Sequence, residues 1–338
     1  MDNQRRGSFA TIWTILASAL TLGVLFFTFR GIDAERFAHI LQKAAWIWIL
    51  VLILVMPMEQ LVRGWKWRQI LIDIRPVSSL RLFGAVMAGY FANMVVPVGV
   101  SPLVRAWLVA RKEELEVSTV LVTTAIERFV DGIVFAVLVG ILIALYALPD
   151  MNGNLRIGLS IAASGSFFLF AGLFVFLFRA KSKIAGQQNI LGRMLSRLEK
   201  RFSKHLSGLA TGISEGIVWP NSIARGVGIV SASILMKVIS LTHFLWAGLA
   251  FGIVLGGFDY LFVMIFSGFS LILTRFVRVP GGGLVGSAIA LKMLGIPDEE
   301  VLTMVALVHT VSVATTVAVG APVLWYDGLK ISAIRQSV

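Results

Sequence analysis

Arg105 follows a stretch where the chain cannot remain helical. Pro97, Gly99 and Pro102 interrupt the apolar segment GYFANMVVPVGVSPLVRAWLVARK at 89–112. Lipid cannot satisfy freed N–H and C=O groups, so broken backbone at membrane depth is buried in protein or lines a wet cavity. An Arg beside such a break is unfavourable in a bilayer unless it meets a partner. This combination holds polar, anionic chemistry inside a membrane. A second set of the same kind is Arg275 and Arg278, three residues apart and just before Pro280, Gly281, Gly282 and Gly283. The glycines permit left-handed backbone and close approach, and the helix N-terminus that follows offers N–H groups to an anion. The alternative role for this Arg pair is an anchor at the membrane interface.

A third set is ERFVD at 127–131, inside a long apolar segment. On a helix Glu127 and Asp131 share a face, and Arg128 and Asp131 are i,i+3 neighbours. An internal Arg128–Asp131 ion pair is expected, which leaves Glu127 as a partner for Arg105 or a proton carrier. Lys237, some fifteen residues into its own apolar segment, either faces a cavity or snorkels to the interface. The apolar segments carry Glu59, Arg105, Glu127, Arg128, Asp131, Lys237, Arg275, Arg278, Lys292 and His309; with His309 neutral, that is six positive groups against three negative. A basic surplus suits a phosphate or carboxylate rather than a cation, and Arg is the better bidentate phosphate clamp. His309, alone on an apolar helix, reads as a hydrogen-bonded core residue. Trp46, Trp48, Trp65 and Trp67 read as an interfacial belt.

Composition bounds the class. The chain has 338 residues, 57% of them hydrophobic and 14% charged, against about 25% charged in soluble proteins. It is a polytopic membrane protein. There is no cysteine, so disulfides, thiol catalysis and cysteine metal sites are excluded. The four histidines, His39, His205, His243 and His309, show no metal-ligand spacing. Neither a Walker A loop nor G-x-S-x-G occurs, so ATP drive and hydrolase chemistry lack their signatures. No cofactor, metal or nucleic-acid partner is expected. The net charge of +12 is a positive-inside signal where it lies in loops, and an anion signal where it lies in the membrane.

The elements that must position these residues are apolar runs long enough to span, at about 9–29, 45–62, 117–147, 155–178, 222–255 and 298–324. The first follows MDNQRRGS and is read as an uncleaved helix. Two further runs are interrupted, 79–112 at Pro97–Pro102 and 259–294 at Val279–Gly283. Their second pieces, 103–112 and 283–294, are too short to cross and read as re-entrant half-helices. Basic residues crowd 63–81 (Arg63, Lys66, Arg68, Arg75, Arg81) and 179–204, whereas the links 148–154 and 256–258 carry none. Placing the basic segments inside puts both termini in the cytoplasm of a plasma (inner) membrane protein. It gives an all-α fold of six full transmembrane helices plus two oppositely oriented re-entrant hairpins, an inverted repeat within a single domain. A site is then expected where the hairpin tips meet. The basic region at about 179–220 is either an amphipathic element on the inner surface or a solvated loop.

The order of motifs carries a resemblance. R-x-x-K-W-R at 63–68, then Asn93, Pro97, Gly99 and Arg105, then ERFVD, then Pro280-Gly-Gly-Gly before a short helix ending near Gly295-Ile296-Pro297 resemble the flippase-like integral membrane family. That family includes the transmembrane region of lysylphosphatidylglycerol synthase, and the likeness covers roughly 45–325. It implies movement of lipids or lipid-linked molecules between leaflets, and it adds Asn93 to the substrate-binding set. Synthase members carry an additional soluble aminoacyl-transfer domain; aminoacylation is not expected here. Two departures stand out. The family usually has an acidic residue between the loop Gly and the Arg, where this chain reads Gly99-Val100-Ser101-Pro102-Leu103-Val104-Arg105. It also usually has a Glu soon after the Pro-Gly-Gly turn, where this chain reads Leu284-Val285-Gly286-Ser287.

The expectation is a small helical lipid flippase. Arg105, Arg275 and Arg278 hold an anionic or phosphate-bearing headgroup, Asn93, Glu127, Arg128, Asp131 and Lys237 organise the site, and the Pro and Gly breaks form the gate. The alternatives are an intramembrane enzyme with Glu127 or His309 as base, and a non-transporting lipid-binding scaffold subunit.

Overall fold

The computed structural model describes residues 33–96, 99–149, 153–185, 212–277 and 282–326, with side chains placed for all but 34, 37, 180–185 and 274–277. Among them every regular element is helical: α1 (Ala34–Gln42), α2 (Trp46–Leu71), α3 (Ser79–Val95), α4 (Ser101–Glu113), α5 (Val117–Leu145), α6 (Asn154–Ala185), α7 (Ile223–Ala250), α8 (Gly257–Val277), α9 (Gly282–Met293) and α10 (Asp298–Tyr326). A short helical stretch at 212–216 precedes α7. Of the described helices α2, α5, α6, α7 and α10 are long and apolar enough to cross a membrane. The chain is an integral membrane protein. The run at 9–29 lies outside the described residues.

One boundary differs in a way that matters. The apolar run at 45–62 continues as helix to Leu71, so Arg63 and Lys66 belong to a spanning helix and not to a loop. The 26 residues of α2 extend about 39 Å, beyond the ~30 Å hydrocarbon core. Helix α2 can keep these charges because they fall on its buried stripe: Leu52, Met56, Arg63, Lys66 and Ile70 are all buried and recur at helical spacing.

Both interrupted runs fold back on themselves. In the first, α3 is capped by Ser78, whose side chain accepts from the Arg81 N–H. Gly99 takes φ +69°, the left-handed conformation that turns the chain at little cost to glycine. Pro102 sits in the first turn of α4, where its missing N–H would be unbonded anyway. Arg81, near the start of α3, pairs with Glu113, the last residue of α4, at 2.5 Å, so the chain leaves the pair where it entered. In the second run, the Ser267 and Ser270 hydroxyls of α8 donate to the carbonyls of Gly283 and Gly282 at 3.1 and 2.7 Å. Its open ends meet other elements: Tyr146 after α5 hydrogen-bonds Asp259, and Lys292 in α9 pairs with Asp298 at 2.9 Å.

The first hairpin closes at a glycine. A Cβ on Gly89 would stand 2.8 Å from the Ser101 carbonyl oxygen and 2.9 Å from its Oγ. Backbone of a facing helix cannot yield without the two helices parting. Gly89→Ala is therefore expected to destabilise by about 1–3 kcal/mol, read as a lower melting temperature in detergent; an unchanged melt would mean the hairpin is looser than this.

The apolar core is layered. One cluster joins α5, α7, α8, α9 and α10 around Leu142, Phe262, Leu291 and Met304. Another joins the first hairpin to α2 and α5 around Trp67, Leu82, Val104 and Val120. Ile70, Ile126, Val130, Val134 and Ile229 form a smaller third cluster. The buried charges of α2 and α5 lie among these layers.

Candidate functional site

Helix α5 carries its charges as α2 does. Glu127 and Asp131 occupy one buried face with Thr124 and Val134. The two stripes meet. Arg63 Nη1 donates to Glu127 Oε1 at 3.0 Å and to Asp131 Oδ2 at 3.2 Å. Lys66 Nζ donates to Asp131 Oδ1 at 2.5 Å and to Ser233 Oγ of α7 at 3.3 Å. It also stands 3.6 Å from Glu127 Oε1. From the first hairpin, Arg105 Nη2 approaches Glu127 Oε2 to 2.9 Å. The side chains of Lys66, Arg105 and Glu127 have 0% exposure. Three cations thus share two carboxylates in the interior. Buried ion pairs seldom repay their desolvation, so this cluster is weak evidence of stabilisation and better evidence of a site.

Arg105 is the irregular member. Its contact with Glu127 is electrostatic only, and among the described residues none of its three guanidinium nitrogens has a hydrogen-bond partner. The guanidinium carbon lies over the Trp67 indole, 5.0 Å from the ring centroid, a favourable cation–π arrangement. Trp67 is pinned in turn, because its Nε1–H donates to Thr123 Oγ1 at 3.0 Å. Glu127 Oε2, Ser101 Oγ, Asn93 Oδ1 and Arg128 Nε are also buried without a hydrogen bond among the described residues. Ser101 lies one turn before Arg105 on α4, and Gly89, where an added Cβ would meet both, lies one turn before Asn93 on α3. An unsatisfied buried polar group costs about 1–3 kcal/mol. Several beside one guanidinium, donors and acceptors together, mark a place with hydrogen bonds still to make.

The structure thus gathers Arg105, Glu127 and Asp131; Arg128 follows Glu127 on α5, and Asn93 lies one turn beyond Gly89 on α3. Lys237 faces inward: its Nζ lies over the Phe135 ring at 5.4 Å, and it makes no ion pair among the described residues. The expected Arg128–Asp131 pair does not form. Asp131 turns to Arg63 and Lys66, whose charges lie across the helix interface. Trp67 leaves the expected belt, being fully buried under Arg105, whereas Trp46 is 70% exposed. His309 is exposed and not a core residue, and no contact joins it to Glu127. Lys292 pairs with Asp298 at the end of its helix. Gly282 and Gly283 begin α9 with their carbonyls bonded to serines. The side chain of Arg275 and all of Pro97, Arg278, Pro280 and Gly281 lie outside the described residues.

Sequence reasoning assigned Arg63 and Lys66 to a loop. The signal that finds them is spacing: Leu52, Met56, Glu59, Arg63, Lys66 and Ile70 alternate at four and three residues, the pattern of one helix face. Beside Arg105, Ser101 presents an unbonded hydroxyl, and the carboxylate nearest Arg105 is one that Arg63 and Lys66 also claim.

A family model described as the lysylphosphatidylglycerol synthase TM region matches residues 14–320. No curated protein and no solved structure matches the chain significantly.

Proposed function

We propose, since this chain belongs to the lysylphosphatidylglycerol synthase TM-region family, that it moves an anionic, phosphate-bearing lipid between membrane leaflets. The observation that carries this reading is Arg105: fully buried, stacked on Trp67, with all its N–H donors unbonded and one shared carboxylate beside it. A phosphate accepts a guanidinium bidentately. It would take the donors that Glu127 leaves free, with Ser101 and Asn93 as neutral contacts. The surplus of cations over carboxylates is balanced when one anion enters. The tails stay in lipid throughout.

In this reading the two folded-back helix pairs are re-entrant hairpins of opposite orientation in a plasma (inner) membrane, with the basic segments and both termini cytoplasmic. The first hairpin is the moving part. Its open end is held by Glu113, which pairs with Arg81 and lies 3.8 Å from Arg75. Its packed end carries Arg105. A scaffold subunit would have its interior charges fully bonded, and an enzyme would bring a nucleophile and a base together. The unbonded donors favour transport.

The test is movement of fluorescent lipids in proteoliposomes, together with mass spectrometry of co-purified lipid. A probe with an anionic phosphodiester headgroup is expected to cross faster than its zwitterionic counterpart. Equal rates with and without protein would end the proposal.

A further inference from the structure

One ionisable pair stands apart from the three-cation cluster. Glu59 lies twelve residues from one end of α2 and thirteen from the other, at the middle of a spanning helix. Its Oε2 is 3.7 Å from Nε2 of His243 on α7, and both side chains are largely buried, at 14% and 12% exposure. His243 Nε2 has no hydrogen bond among the described residues. A carboxyl in that position is rare without a purpose, and intramembrane carboxyl–imidazole pairs suit proton binding.

The surroundings tie this pair to the anion site. Arg63, one turn further along α2, and Lys237 on α7 both lie within electrostatic reach of Glu59. Asp131 on α5 acts on the same two cations, Glu127 on α5 also pairs with Arg63, and Tyr90 on α3 is within electrostatic range of Arg63. From α10, Leu307, Val308 and Val311 pack with Leu52, Met56 and Trp246, and His309 lies between Val308 and Val311 on the same helix. His243 and Glu59 therefore supply the titratable element, and Arg63 and Lys237 relay its charge.

We infer that Glu59 and His243 form a proton-binding site linked to anion binding at Arg105, one proton entering as one headgroup binds. The proton comes from water, adds to the Glu59 carboxylate or the His243 imidazole, and leaves by the reverse step. The sign follows from charge. With Glu59 ionised and His243 neutral the pair carries one negative charge; a proton removes it. Arg63 and Lys237 are then less neutralised, and the site attracts an anion more strongly. Linkage is reciprocal, so a bound anion raises the proton affinity of the pair by the same factor, on the order of tenfold. A proton gradient would then drive lipid movement. This driving role rests on the transport reading above; the proton site itself does not.

Two measurements separate the claims. Infrared difference spectra of the full chain in phosphatidylglycerol nanodiscs, stepped from about pH 8 to about pH 5, are expected to show a protonated-carboxyl band. Glu59→Gln should remove it and His243→Gln should shift it. Spectra of Glu59→Gln and the unaltered protein that superimpose would overturn the proton site. If Glu59→Gln does not fold, the His243→Gln shift carries the same decision. In vesicles of phosphatidylcholine and phosphatidylglycerol, an imposed pH gradient is expected to speed lipid movement several-fold. Glu59→Gln, held in the uncharged form, should lose that response. Gradient-independent movement overturns the coupling. No movement by the unaltered protein overturns the transport reading, while the infrared result still decides the proton site.

Discussion

Arg105→Ala is expected to abolish lipid movement and leave a folded protein. The asymmetry comes from the partners. Arg105 makes no hydrogen bond among the described residues, so truncation breaks none. Glu127, left behind, keeps Arg63 at 3.0 Å and Lys66 at 3.6 Å. The cluster falls from three cations to two and matches its two carboxylates. Stability should therefore change by about 1 kcal/mol or less, with the loss of Trp67 stacking opposing the relief of a buried, unbonded charge. Binding has no such compensation. Two charge-assisted hydrogen bonds to phosphate are together worth about 3 kcal/mol or more, so headgroup affinity should drop at least ~100-fold. Arg105→Lys keeps the charge and loses the fork, and an intermediate rate is expected. Thermal melts and flipping rates on the same preparations check both halves. A folded Arg105→Ala protein that flips lipid normally would remove Arg105 from the site.

Part of this arrangement was legible in the chain itself. The broken segment before Arg105, ERFVD and the spans 117–147, 222–255 and 298–324 stand out because Pro, Gly and charge are rare inside apolar runs, and each corresponds to an observed helix or link. What stayed hidden was pairing. Orientation rules count Lys and Arg near the ends of apolar runs as loop charges, and Arg63 follows directly on such a run. Only the facing carboxylates of α5 make it an interior residue. Trp67 misled for a related reason. Tryptophan favours interfaces, but Thr123 accepts the indole N–H and so lets it go inside. Local patterns report which residues are unusual; contacts between segments far apart in sequence decide what they do.

Glu127→Gln should behave in the opposite way to Arg105→Ala. The side chain keeps its size and loses its charge. Arg63, Lys66 and Arg105 all lean on Glu127, and one carboxylate, Asp131, would then face three cations. Arg105 would have no acid within ion-pair distance among the described residues. Leaving a buried charge uncompensated costs about 3–5 kcal/mol, enough to lower the folded yield sharply in a protein of ordinary stability. The added substitution Arg105→Ala removes the stranded charge. The double variant is expected to recover about 1–3 kcal/mol relative to Glu127→Gln alone, the range of coupling for residues in contact. It should still move no lipid, because the headgroup clamp is gone. Stability and transport would then be separated by one cycle of variants. If Glu127→Gln instead melts with the unaltered protein, the buried cations do not depend on Glu127, and the charge balance assigned to this site is wrong. If the double variant transports, the anion is held elsewhere in the chain.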